Sequence, residues 1–214
     1  MPMNKIRILV VDDHPVVRDG LREVFRRTSR IIIEGEAETG QKALDFLRNG
    51  NVDVMLLDIS MPGMSWLDVL KNALAIRPRL AVLILSMYKD EDFIVRSLQA
   101  GAAGYLTKDS IGNELVQAVE KAASGRRYIS SSVAEKLAEH INRGNMRAAH
   151  QGLSDRELQV MIMLARGLKP SEIARDLFLS VNTVNTYKSR ILEKMKAKNV
   201  ADLVRYAVKA DLLD

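Results

Sequence analysis

Cysteine is absent from all 214 residues. No disulfide framework and no thiolate zinc site can be built, which fits a reducing compartment. No unbroken apolar run reaches transmembrane length, and no secretory-leader pattern is visible. A soluble, cytoplasmic protein with no membrane partner is therefore expected. What the chain does have is apolar material. It is 47% hydrophobic, at a length that suits one or two domains. Charge is unevenly placed. Residues 1–124 carry 16 Lys/Arg and 17 Asp/Glu, a net of −1. Residues 125–151 carry 5 and 2, and residues 152–214 carry 11 and 8, each a net of +3. The basic excess lies wholly in the last two-fifths, which points to nucleic acid near the C-terminus.

The first 124 residues alternate two patterns. Short apolar, β-branched runs (6–11, 31–37, 52–58, 80–86, 104–108) read as strands. Between and after them, segments 15–27, 39–49, 66–76, 90–101 and 111–125 have helical spacing. Five β/α units with continuous apolar strands predict an α/β fold: a parallel, doubly wound sheet covered by helices on both faces. Residues 125–152 predict a lone amphipathic helix in "SSVAEKLAEHIN", followed by an aperiodic linker, "RGNMRAAHQG". Residues 153–214 carry no convincing strand. Four helices, 154–166, 170–177, 181–195 and 199–211, predict an all-α second domain.

"LVVDDHP" (9–15) runs an apolar strand into two adjacent carboxylates, Asp12 and Asp13. Asp58 ends the third strand, Ser86 the fourth and Lys108 the fifth. In a parallel sheet these ends share one edge, where ligands bind. One aspartate there is ordinarily a helix cap or a turn residue. Three clustered carboxylates repel one another unless a cation compensates them, and all-oxygen ligands favour Mg²⁺. Mg²⁺ also neutralises charge in phosphoryl transfer. Asp58, followed by the Pro-Gly loop "ISMPGM", becomes a candidate nucleophile for a phosphoryl group, with Ser86 and Lys108 placed to meet its oxygens.

"LVVDDHP", "DVMLLDISMPGMSWLDVL", "ILS" and "AGAAGYLTKD" together resemble the receiver domain of bacterial two-component response regulators over about residues 4–124. The resemblance implies a flavodoxin-like sheet with Asp58 as phosphoacceptor. It implies Mg²⁺ held by Asp12, Asp13, Asp58 and the backbone carbonyl of Ser60, and an aromatic switch at Tyr105. It makes His14 a loop residue rather than a ligand. Ser60 and Tyr88 occupy two positions that vary within the family, and a tyrosine at 88 is expected to screen the acyl phosphate from water. The implied donor is a sensor histidine kinase. The chain is then no enzyme beyond its own phosphotransfer and autodephosphorylation.

Residues 153–213 open with a capping box, Ser154 and Glu157, and continue as helix, tight turn at Leu179–Ser180, helix. In the helix after that turn, Val184, Ile191 and Met195 fit an apolar face. Asn182, Thr183, Asn185, Thr186, Lys188, Ser189, Arg190 and Lys194 supply base-reading or phosphate-binding chemistry. "LSDRE", "ARGLKPSEIA", "LSVNTVNTY" and "EKM" resemble the LuxR/NarL-type helix-turn-helix, and "TVNTYKSRILEKM" is nearest the GacA/UvrY- and BvgA-like branch of the NarL/FixJ family. Many members carry Lys and His where this chain has Asn185 and Tyr187, so the general family DNA consensus does not carry over. The resemblance implies that helix 181–195 enters the major groove of promoter DNA and that helix 199–211 supports a homodimer formed on activation. RNA polymerase is a further expected partner. The whole reading is a transcription factor switched by phosphorylation. A constitutive DNA-binding dimer with the receiver as a scaffold is the alternative.

Overall fold

The computed structural model describes residues 5–87, 91–142, 149–210 and 212–213. Its contacts divide the chain into two compact units, Met1–Leu137 and Ala138–Asp214.

The first unit contains five strands, β1 (Ile6–Val11), β2 (Ile31–Ala37), β3 (Val54–Asp58), β4 (Ala81–Ser86) and β5 (Gly104–Thr107). They are joined by α1 (Pro15–Arg26), α2 (Gly40–Asn49), α3 (Trp66–Ile76) and α4 (Glu91–Gln99), and α5 (Ile111–Ala123) follows β5. All pairings are parallel, in the order β2-β1-β3-β4-β5. The expected doubly wound sheet is therefore observed. Side chains alternate across it. Ile8, Val10, Leu56, Leu83, Leu85 and Leu106 join Leu21 and Phe25 of α1 and Leu115, Val119 and Ala122 of α5 in one core. Leu9, Val11, Met55, Leu57 and Ile84, of opposite parity, are equally buried. A strand buried on both faces must be apolar throughout, as all five residues of β3 except its terminal aspartate are.

Helix starts are set by local chemistry. Pro15 opens α1 where no N–H is needed, and the Thr39 and Ser65 hydroxyls accept from Lys42 N and Leu67 N. Beyond α5 the chain doubles back along β5. Tyr128 N–H donates to Ala103 O at 2.8 Å, Tyr128 bridges Gly104 in parallel, and its hydroxyl donates to Glu114 Oε2 at 2.9 Å. This strap leads into α6 (Ser131–Asn142), whose Val133 is buried. The expected linker helix is thus present. Six residues of the linker after it, 143–148, lie outside the described residues.

The second unit contains α7 (Asp155–Ala165), α8 (Pro170–Asp176), α9 (Val181–Lys194) and α10 (Val200–Lys209). These are the four helices expected, trimmed by a residue or two where caps replace helical turns. Leu158 to Ala165 of α7 are all buried, the mark of a central helix. Gly167 closes α7 at φ +88°, with Leu168 N–H donating to Met163 O. Between α8 and α9 the left-handed position is taken by Phe178, at φ +52°, and Leu179 N–H donates back to Ala174 O at 2.8 Å.

Candidate functional site

The strand order reverses around β1, so β1 and β3 lie side by side and their carboxyl ends flank the crevice where such sheets bind ligands. Asp12 follows β1 and Asp58 ends β3, and both are fully buried. Ser86 ends β4 and is also fully buried, in register with Thr107 of β5. Lys108 follows Thr107 and reaches back across the edge. Its Nζ lies 2.7 Å from Asp12 Oδ2 and 2.9 Å from Asp58 Oδ2. Asp58 Oδ1 accepts the Ser60 N–H at 3.2 Å.

The sequence reading set His14 aside as a loop residue. The structure turns its ring into the pocket. His14 Nδ1 lies 3.1 Å from Asp12 Oδ1, 3.0 Å from Asp13 Oδ1 and 4.0 Å from Asp58 Oδ2. The His14 N–H also donates to Asp12 Oδ1. Adjacency to the acidic pair, with Pro15 fixing the backbone beyond, was the available signal.

Electrostatics follow from burial. Burial pushes the Asp58 carboxyl up to about 6, with Asp12 adding to the rise and the Lys108 ammonium opposing it. Burial works against the Lys108 charge, but Asp58 and Asp12 outweigh it and hold its pKa above the usual lysine value. One lysine serves two of the three carboxylates. Asp13 Oδ1 is buried with no hydrogen-bond donor, its approach to His14 Nδ1 being short in distance alone. An orphaned buried carboxylate oxygen beside two further carboxylates fits a hard divalent cation.

Tyr105 is fully buried in β5, in register with Ile84 and on the face away from α5. Trp66 opens α3 and meets Phe93 of α4 edge-on, ring centroids 6.4 Å apart. Tyr88 lies outside the described residues.

In the second unit, Ser180 caps α9 by accepting the Thr183 N–H at 3.0 Å. Val184 and Ile191 are buried, and Asn182, Asn185, Thr186, Ser189 and Arg190 are exposed on the opposite side. Lys188 is half-buried. Two expected DNA-facing residues are engaged inside the domain. Thr183 Oγ1 shares a hydrogen bond with Ser180 Oγ at 2.8 Å, and Lys194 Nζ lies 2.6 Å from Glu157 Oε2. Sequence spacing puts both on the polar side of the helix, where each also has a partner within the domain.

Comparison with known proteins agrees with this geometry. Residues 8–120 match the response regulator receiver domain and residues 151–207 match the bacterial regulatory proteins of the luxR family. The chain is 35% identical to the response regulator UvrY of Escherichia coli (strain K12) over 208 residues, covering 97% of this chain and 95% of UvrY. It is 35% identical to the response regulator GacA of Pseudomonas aeruginosa over 210 residues, covering 98% of each. The Salmonella typhimurium RcsB response regulator, solved in a study of conformational dynamism for DNA interaction, is similar in structure. Its TM-score is 0.68 at 25% identity, covering 97% of this chain and 98% of RcsB. With a five-stranded parallel receiver sheet ending in an acidic pocket and a four-helix unit carrying a helix-turn-helix, the chain belongs to the two-component response regulators with a LuxR-type DNA-binding domain.

Proposed function

We propose that Asp58 accepts a phosphoryl group from a sensor histidine kinase and that this modification switches DNA binding by α9. The observation that carries the reading is the Lys108 bridge between Asp12 and the buried Asp58, with Asp13 Oδ1 beside them accepting no hydrogen bond. A carboxylate oxygen of Asp58 attacks phosphorus in line. The bond from phosphorus to the donor's imidazole nitrogen breaks, and the electron pair and a proton end on that nitrogen. Asp12, Asp13, Asp58 and the Ser60 carbonyl are the residues that would hold Mg²⁺, which supplies charge neutralisation at the phosphoryl oxygens.

Lys108 then exchanges its two carboxylate partners for a phosphoryl oxygen, and the Ser86 hydroxyl donates to another. Tyr105 and the α4–β5 region repack around the new charge, a two-state element that the phosphoryl group biases. Activated chains pair as homodimers, supported by α10, and place two α9 helices on two half-sites of promoter DNA. The receiver catalyses only its own phosphotransfer and dephosphorylation.

The test treats the full-length chain and Asp58→Ala with Mg²⁺ and acetyl phosphate. Intact mass and duplex binding are then measured on the same samples. The proposal expects a mass gain of one phosphoryl group and tighter binding in the wild type alone. Equal binding by both proteins, unmoved by the donor, would overturn it in favour of a constitutive dimer.

A further inference from the structure

We infer that the first two turns of α9 select A·T base pairs, with the Val181 side chain set against the C5-methyl group of a thymine. The inference rests on the reading of α9 as the helix that enters the major groove, and it names what that helix reads.

Val181 is the first residue of α9 and is 44% exposed. It has no place in the core, because Val184 and Ile191 take the buried side of the helix. Val181, Asn185 and Ser189 are spaced four apart, so they form one ridge along the helix, each about 6 Å from the next. Asn182, Thr186 and Arg190 form the adjacent ridge. An exposed valine at the head of a polar ridge offers two methyl groups and nothing else. In the major groove the matching partner is the thymine methyl, since every other edge there presents a donor or an acceptor.

The hydroxyls on these ridges point the same way. Thr186 Oγ1 donates to Asn182 O at 2.9 Å, and Ser189 Oγ donates to Asn185 O at 3.1 Å. With their protons committed to the helix, both offer DNA only lone pairs, and Thr186 adds a methyl group. An acceptor meets adenine N6 or cytosine N4, never guanine O6 or N7. Asn182 and Asn185, both exposed, have the carboxamide geometry that pairs bidentately with adenine. No arginine or lysine lies between Val181 and Tyr187, so these two turns hold no bidentate guanine reader. The acceptors leave adenine and cytosine open, and the methyl groups and carboxamides narrow the edge to thymines and adenines. Guanine or phosphate contacts fall to Lys188 and Arg190, further along.

The experiment starts from duplexes selected out of a randomised pool by the full-length, donor-treated chain. In the best duplex each thymine is replaced singly by deoxyuridine, which removes the C5-methyl group and leaves every hydrogen-bonding edge intact. At one thymine per half-site the wild type should lose about fourfold in affinity, the worth of one buried methyl group. Val181→Ser should bind the thymine duplex about as weakly as the wild type binds the uracil duplex, and lose less than twofold on replacement. Val181→Ile should keep the sensitivity to uracil. The inference is overturned if no replacement moves the wild type by twofold, or if Val181→Ser is as sensitive as the wild type. Failure to enrich any sequence would instead overturn sequence-specific reading by this chain altogether, and the inference with it.

Discussion

Lys194 Nζ lies 2.6 Å from Glu157 Oε2, and the same carboxylate accepts the Ser154 N–H at 2.7 Å. One buried side chain thereby ties the last turn of α9 to the capping box of α7. The pairing orients α9 on the central helix of its domain. Burial opposes the Glu157 charge, but the bond from Lys194 and the bonds from Ser154 outweigh it and hold the carboxyl below its ordinary value of 4.5.

A carboxylate depressed in the folded state contributes stability above its unfolded pKa and loses it as pH falls through the folded value. Glu157→Gln should therefore be less stable than the wild type at pH 7, and the difference should shrink as pH falls below the ordinary 4.5 and through the lowered folded value. Lys194→Ala should weaken folding by about 1–2 kcal/mol, a modest figure because the lysine side chain is 44% exposed. Urea denaturation of the full chain across pH reads both. A pH-independent gap between Glu157→Gln and the wild type would remove the charge from the explanation.

Phe178 holds a left-handed backbone conformation, φ +52°, with 61% of its surface exposed. Leu179 N–H donating to Ala174 O shows the helix-ending geometry that glycine ordinarily completes. Phe178→Gly should relieve backbone strain while forfeiting little packing. The expected gain is about 1 kcal/mol, seen as a higher urea midpoint at unchanged slope. A loss of stability would mean that the ring packs more tightly than its exposure implies.

How far the site was legible depends on where each residue sits. Asp12, Asp58, Ser86 and Lys108 could be read because a parallel sheet sends every strand end to one edge, so position along the chain becomes position in space. His14 was less legible, since a loop side chain three residues past a strand has no periodicity to fix its direction and only its place beside the acidic pair pointed to the pocket. Lys194 lies on the polar side of its helix by spacing, and that spacing carries no signal of its bond to Glu157, 37 residues earlier. The strap at Tyr128 was hidden for the same reason: its hydrogen bonds run to Ala103 and Glu114, contacts made by return of the chain rather than by local pattern.

That strap sets its own test at Gly104. A Cβ there would stand 2.5 Å from Tyr128 O and 2.9 Å from Leu83 Cδ2. The carbonyl belongs to backbone and cannot swing away as a side chain can. Gly104→Ala should push the strap off β5 and destabilise the receiver by about 1–3 kcal/mol, the range for overpacking a close-fitted site. Amide hydrogen exchange at Tyr128, whose N–H is bonded to Ala103 O, should accelerate well beyond that of β1 and β3. Uniform acceleration across the sheet would mean that the strap is no separable element.

Asp13 Oδ1 is the buried oxygen that neither Lys108 nor a hydrogen-bond donor serves. In metal-free buffer it is a source of repulsion, and a divalent cation that binds it only in the folded chain must stabilise the fold by mass action. Mg²⁺ at one hundred times its dissociation constant should add about 2.7 kcal/mol to wild-type stability. Asp13→Asn should show less than half of that gain, yet be at least as stable as the wild type in EDTA because one of three crowded charges is gone. The single tryptophan, Trp66, is buried against Phe93 and gives a fluorescence signal for unfolding at each Mg²⁺ concentration. Equal Mg²⁺ responses in the two proteins would take Asp13 out of the ligand set. A wild type unmoved by Mg²⁺ would leave Lys108 as a sufficient counter-charge for the pocket.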